Sequence, residues 1–375
     1  MDRAYIDRMM KRMDEKVMRL LEQNGDAWLD HAGEDGIYQS RRPDWWTSGF
    51  WPGILWILYD VTGKERYKQA VWQRDEELGE WLRIPADEFN HDVGFQFLPT
   101  AVIKYKLTGD PDAKERGLEA ANFLANRFNS AGGFIRAWDR GPDGSEVPGW
   151  AIIDCMMNIP LLFWAYRVSG EERYRHIAVR HADTVLQYAI REDGSVNHII
   201  SFDPVTGAYL GALGGQGHTK DSAWSRGTAW ALYGFALAYR DTDDVRYLNA
   251  AKRVAHFFIA SLPEDDVPYW DFRLPDPAGE PRDSSAGAIA ASGLLEIAER
   301  VPDAEKPLYE NAAKRILYSL SEQYAIWECP EVQPILTKAT GNRPLNHHVN
   351  YSLIFGDYYF IEAFAKLNGW RTRIF

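Results

Sequence analysis

The chain has 375 residues, 46 % of them hydrophobic, and a formal net charge of −12. That balance is ample for a buried core and argues against nucleic acid or an anionic membrane as a partner. Met1-Asp2-Arg3-Ala4-Tyr5 has no apolar signal-peptide core, and no run of about 18 apolar residues occurs, so a cytoplasmic location is expected unless an export signal has been removed. Cys155 and Cys329 are far apart and imply no disulfide framework.

Along the chain, charged amphipathic stretches alternate with stretches that are almost free of charge. The amphipathic ones cover about 5–24, 65–82, 112–128, 171–190, 244–262 and 304–324. Several open on a turn-plus-helix signal, as in Thr62-Gly63-Lys64-Glu65, Thr108-Gly109-Asp110-Pro111 and Ser169-Gly170-Glu171-Glu172. There glycine closes the preceding helix in a left-handed cap, and acids suit the first turn of the next. The apolar stretches open at Asp44-Trp45-Trp46-Thr47-Ser48, Asn90-His91-Asp92, Ile153-Asp154-Cys155, Trp224-Ser225-Arg226, Asp283-Ser284-Ser285 and Gly356-Asp357-Tyr358-Tyr359. A helix apolar nearly all round is buried. Outer–inner pairs therefore recur at intervals of roughly 45–70 residues, and six of them can close into an (α/α)6 toroid with one polar mouth. The alternative is an open stack of helical hairpins.

Some segments resist that scheme. Pro99 and Pro160 fall inside expected inner helices, where proline would kink the rod. Glu362 and Lys366 make the sixth inner helix less cleanly apolar, and 194–210 and 268–274 read as short strands. The class expected is all-α with short hairpins on the loops. With no Ser/Gly tract, charge block or low-complexity run, residues 1–375 read as a single domain.

The residues at the polar ends carry the candidate chemistry. Asp154 is flanked by apolar residues, with Asn158 one helical turn later; burial there would favour the protonated form that a general acid needs. A helix N-cap is the equally available alternative. Asp92 is the second carboxylate, either a cap or the partner that raises one member of an acid pair. Arg226, at the mouth of a buried helix, needs an anion, which could be one of these aspartates or a substrate carboxylate. Gln216 and His198 precede it as possible hydroxyl binders, although His198 alone is as well explained by structure. With 15 Trp, 19 Tyr and 17 Phe the chain is rich in aromatics, and Trp45, Trp46, Trp138, Trp224 and Trp230 adjoin these motifs, where an indole face suits a pyranose ring. His347-His348 is no metal motif, and no phosphate loop, dinucleotide turn or nucleophile elbow stands in context.

These segments resemble the unsaturated glucuronyl hydrolases, glycoside hydrolase family 88. The resemblance rests on Trp46-Thr47-Ser48-Gly49-Phe50-Trp51-Pro52-Gly53, His91-Asp92-Val93-Gly94-Phe95, Ile152-Ile153-Asp154-Cys155-Met156-Met157-Asn158 and Trp224-Ser225-Arg226-Gly227-Thr228-Ala229-Trp230, followed in order by Tyr269-Trp270-Asp271-Phe272, Arg282-Asp283-Ser284-Ser285-Ala286 and Gly356-Asp357-Tyr358-Tyr359. It implies a single (α/α)6 domain that needs no metal or cofactor. The implied reaction removes the 4,5-unsaturated uronic acid that polysaccharide lyases leave on an oligosaccharide, by hydrating its vinyl ether. Asp154 would be the acid/base and Asp92 would hold the sugar and tune it. His91, His198, Gln216 and Arg226 would contact hydroxyls or the uronate, with Trp46, Trp138, Trp224 and Trp230 as walls. Ser48 stands where some members carry an acid, and 342–352 matches no subgroup, so the preferred oligosaccharide is open. Rival readings are an unsaturated rhamnogalacturonyl hydrolase of family 105, a conventional inverting glycosidase using Asp154 and Asp92, and a non-catalytic sugar-binding toroid.

Overall fold

The computed structural model describes residues 1–84 and 89–375. Helix α1 (Arg3–Asn24) opens on Asp2, whose side chain accepts the Tyr5 N–H. The helices that follow are α2 (Phe50–Thr62), α3 (Glu65–Val71), α4 (Arg74–Arg83), α5 (Val93–Phe97), α6 (Ile103–Thr108) and α7 (Pro111–Asn126). The second half contributes α8 (Pro160–Ser169), α9 (Glu172–Tyr188), α10 (Ser225–Thr242), α11 (Val245–Ala260), α12 (Ser284–Ala298), α13 (Lys306–Ser319) and α14 (Ile354–Leu367). Nine short strands lie between them among the described residues: β1 (Leu29–Ala32), β2 (Tyr38–Ser40), β3 (Phe128–Asn129), β4 (Phe134–Ile135), β5 (Trp150–Ile152), β6 (Ile199–Phe202), β7 (Tyr209–Leu213), β8 (Ala339–Asn342) and β9 (His347–Leu353). They form antiparallel sheets in the orders β2-β1-β9-β8, β3-β4 and β5-β6-β7.

The inner helices close a ring. Helix α2 packs on the rod made by α5 and α6, α5 on α8, α8 on α10, α10 on α12, α12 on α14, and α14 back on α2. Helices α1, α3, α7, α9, α11 and α13 pack outside α14, α2, α5, α8, α10 and α12 respectively. The fold is thus an (α/α)6 toroid of the all-α class, and the open stack is excluded. One hydrophobic cluster extends through it from Tyr5 to Phe375.

The turns between inner and outer helices repeat one local device. Thr62, Thr108, Ser169 and Thr242 each donate a hydroxyl to the carbonyl four residues back and accept the N–H two residues on. The residue between is left-handed: Gly63, Gly109 and Gly170 at φ of 70°, 74° and 74°, and Asp243 at 58°. These pairs satisfy the orphan carbonyls of the helix end and start the next helix.

Several expectations are corrected. Pro160 does not kink a helix, because it occupies the first turn of α8, where its missing N–H is an orphan anyway. Pro99 lies in a π-helical turn, Leu98–Val102, that joins α5 to α6. The outer stretch 65–82 is broken into α3 and α4. Segment 268–274 forms no strand; only the isolated pairings Trp224–Asp271 and Tyr269–Arg282 occur there. Glu362 and Lys366 are fully inside: Lys366 Nζ lies 3.2 Å from Glu296 and 3.8 Å from Glu362, and donates to Tyr233 Oη at 2.6 Å. Buried charges persist when paired and hydrogen-bonded.

Gly53 sits where the ring closes, since a Cβ there would meet Tyr358 Cε2 at 2.7 Å and Pro99 Cβ at 2.8 Å. Gly53→Ala therefore overpacks the closure at a cost of about 1–3 kcal/mol. A thermal melt checks this: the midpoint falls, and an unchanged midpoint would contradict the tight seam between α2 and α14.

Candidate active site

Both carboxylates are held by neighbouring inner elements. Asp92 precedes α5 as its N-cap residue, but its side chain makes no capping bond. Asp154 stands on a 3-10 turn, Ile153–Met157, and not on an α-helix. Strand β5 forces that geometry: it pairs with β6 up to Ile152–Ile199, and the next N–H, that of Ile153, donates to the His198 carbonyl at 3.1 Å. Asn158 ends the turn and joins the two segments. Its Oδ1 accepts the Phe95 N–H at 2.8 Å, and its Nδ2 donates at 3.2 Å both to Asp92 Oδ1 and to the Asp154 carbonyl.

The proposed site residues divide by exposure. Trp46, Asp92, Trp138, Asp154 and Gln216 are half-buried and present surface. His91, His198, Trp224, Arg226 and Trp230 are buried. Trp230, expected as a wall, has no exposed surface; its ring packs against Phe95 and edge-on to Tyr359, so it supports the floor. Trp224 lies beneath the mouth, its ring centroid 4.4 Å from that of His198 and its face under the Arg226 guanidinium. Trp138 makes edge contacts with His91, Trp150 and His198. Trp46 packs on Phe355 and Phe95. Trp45 is occupied structurally: its Nε1 donates to Asp30 at 3.2 Å.

Arg226 meets neither Asp92 nor Asp154. Its Nη1 contacts Asp283 at 2.6 Å and the Thr340 carbonyl, and its Nη2 donates to Gln216 Oε1 at 3.0 Å and to the Gly341 carbonyl. The anion that sequence reasoning sought is thus Asp283, the N-cap of α12, a residue present in the quoted motif but given no role there. Its two Nη groups are thus engaged by protein partners, and they tie Gln216 and strand β8 together at the rim. Arg127 also escaped notice, because its place beside the carboxylates depends on a long-range return of the chain.

The histidines aim at the carboxylates. His198 Nδ1 accepts the Gln216 N–H at 2.9 Å, so the ring proton sits on Nε2, 3.5 Å from Asp154 Oδ2. His91 Nε2 lies 3.5 Å from Asp92 Oδ1, and burial lowers its pKa to about 3, which keeps it neutral. Both His91 nitrogens, His198 Nε2 and Asp154 Oδ2 lack a hydrogen-bond partner in the protein. Buried polar atoms without a protein partner beside two carboxyls mark this place as more than a packed core.

The two carboxyls are driven apart. Burial and the charge of Asp154 push Asp92 well above the usual carboxylate range, against the donation from Asn158 and the Arg127 charge. Burial also pushes Asp154 upward, but the facing His198 imidazole, with His91 and the Arg226 charge behind it, outweighs burial and holds Asp154 below its ordinary value. Apolar chain neighbours make Asp154 a candidate for the raised acid, but its neighbours in space are histidines and an arginine, and the raised member is Asp92. Among the described residues no group of three or more His, Cys, Asp or Glu is suited to hold a metal, and no helix is long and apolar enough to cross a membrane.

The sign of the Asp92 shift fixes a stability effect. Asp92 ionises less readily folded than unfolded, so wild type loses stability as pH rises from the ordinary carboxylate range to the raised value. Asp92→Asn removes that penalty. Melts across pH should show the variant above wild type by about 2–5 °C near neutrality and level with it below about pH 4. A gap that persists in acid would contradict the assignment.

The family model for Glycosyl Hydrolase Family 88 matches residues 4–372. An unsaturated glucuronyl hydrolase from a Bacillus species is 38 % identical over 358 residues, covering 93 % of each chain. An unsaturated chondroitin disaccharide hydrolase from Streptococcus agalactiae is 36 % identical over 346 residues, covering 91 % of this chain and 86 % of its own. Among solved structures, unsaturated glucuronyl hydrolase from Streptococcus agalactiae superposes with a TM-score of 0.92 at 33 % identity, covering 99 % of this chain and 94 % of the other. One described as specific for heparin gives 0.89 at 31 % identity, covering 97 % and 98 %. With toroid, carboxylate pair and near full-length matches in agreement, the chain belongs to glycoside hydrolase family 88.

Proposed function

We propose that the chain, acting as one catalytic unit over residues 1–375, removes the 4,5-unsaturated uronic acid from the non-reducing end of lyase-generated oligosaccharides. The observation that carries this reading is the pair of carboxylates at the mouth, one pushed up and one held down, with unpaired histidine nitrogens turned toward them. Such a pair gives up its last proton less readily than its first, and the proton it keeps rests on Asp92 and not on Asp154. Asp154 takes that proton and delivers it to C4 of the vinyl ether. Water adds at C5 and returns its proton to Asp154, so the pair ends as it began. The resulting hemiketal opens and releases the rest of the oligosaccharide. Asp92 holds a sugar hydroxyl and stores the proton between turnovers. Trp46 and Trp138 supply the faces against which the ring stacks, Gln216 contacts the uronate or its hydroxyls, and His198 Nε2–H and His91 take the remaining polar contacts.

The substrate class follows from the relatives, whose names point to unsaturated glucuronyl and chondroitin disaccharide substrates. The full-length family match favours this reading over a family 105 rhamnogalacturonyl hydrolase and over a conventional inverting glycosidase.

Ultraviolet absorbance of an unsaturated chondroitin or hyaluronan disaccharide tests the proposal, because hydration removes the conjugated double bond. Wild type should bleach it, and Asp154→Asn should be slower by about 10²-fold or more. The saturated disaccharide should remain intact. Cleavage of the saturated sugar, or no bleaching of chondroitin, heparin-type or gellan fragments, would overturn the hydration mechanism.

A further inference from the structure

Resting on the hydration reading, the geometry points to Arg127 as a positioning residue for that reaction: through the Ala137 carbonyl it holds the Asp92 loop, the Trp138 wall and the strand that leads to Asp154 in one register, with its charge facing Asp92. Arg127 is the C-cap residue of α7, and its side chain is only 6 % exposed. Its guanidinium donates to the Arg136 carbonyl at 3.0 Å and the Ala137 carbonyl at 2.9 Å, and to Asp139 at 3.1 and 3.5 Å. Its own carbonyl accepts the Arg136 N–H at 2.9 Å.

Ala137 is the junction. Its carbonyl also accepts the His91 N–H at 3.3 Å, one residue before Asp92. Its N–H donates at 2.8 Å to the carbonyl of Trp150, the first residue of β5, which runs directly into Ile153-Asp154. Trp138 follows Ala137 in the chain. A buried arginine that spends a planar fork on two successive carbonyls fixes this rung in a way a lysine cannot reproduce.

The charge has a second effect. Asp92 is faced by Asp154 from the 3-10 turn, by Cys155 and Asn158 from the same turn, by His91 at its side and by Arg127 from α7. Arg127 is the cation in that set that opposes the upward push on Asp92. Asp139, 57 % exposed, balances only part of its charge.

The test separates geometry from charge. Infrared titration of the protonated carboxyl stretch, assigned to Asp92 by its loss in Asp92→Asn, is read beside kcat for the unsaturated disaccharide. In Arg127→Gln the Asp92 midpoint should rise by about half a pH unit or more, and kcat should fall about tenfold or more. Arg127→Lys should keep the midpoint within about 0.3 units yet lose kcat similarly. Asp139→Asn should lower the midpoint, and it decides the charge effect if Arg127→Gln does not fold. Unchanged midpoints in both Arg127→Gln and Asp139→Asn, or full kcat per folded Arg127→Lys molecule, would overturn the proposal and leave Arg127 a structural residue. If wild type bleaches no unsaturated substrate, the functional reading fails, while the midpoints still judge Arg127.

Discussion

The site depends on one amide side chain. Asn158 spans two inner elements of the ring, accepting from the Phe95 backbone on one side and donating to the Asp92 carboxylate and the Asp154 carbonyl on the other. Its reach requires that α5 and the 3-10 turn touch backbone to backbone. Gly94 permits this, since a Cβ there would lie 2.6 Å from Asn158 Cα. The relation between the two carboxylates is therefore set by main-chain packing and not by flexible side chains. Preorganisation of that kind is what a proton-transfer step rewards.

Around this pair the structure has already matched its cations. Arg226 is satisfied by Asp283, Gln216 and two carbonyls, and Arg127 by Asp139 and two more. His198 spends Nδ1 on the Gln216 N–H and turns Nε2 to Asp154. What is left unmatched is the Asp154 oxygen and the histidine nitrogens beside it. In a protein of net charge −12, two carboxylates at one buried mouth cannot both ionise cheaply, and the surrounding dipoles decide which one keeps the proton.

Much of the fold was legible in the chain because it repeats. Hydroxyl–glycine turns, acids at helix starts and charge-free helices recur in register, and each recurrence reinforces the last. Helix α10 departs from the glycine pattern only in that Asp243 takes the left-handed position. The site was legible as a list of residues more than as an arrangement. Periodicity placed Asp154 on a helix, yet the pairing of β5 with β6 holds it on a 3-10 turn. Trp230 reads like Trp138 in sequence, but one helical turn into α10 it faces the floor. The partner of Arg226 and the role of Arg127 depend on contacts from distant segments, which local pattern does not encode.

Neutron diffraction from crystals at neutral pD, without substrate, tests most directly the claim that the two carboxylates hold one proton between them. The expected map has a deuteron on Asp92, none on Asp154, and His198 deuterated on Nε2 but not on Nδ1. Bare carboxylates on both, or a deuteron on Asp154 with Asp92 ionised, would contradict it.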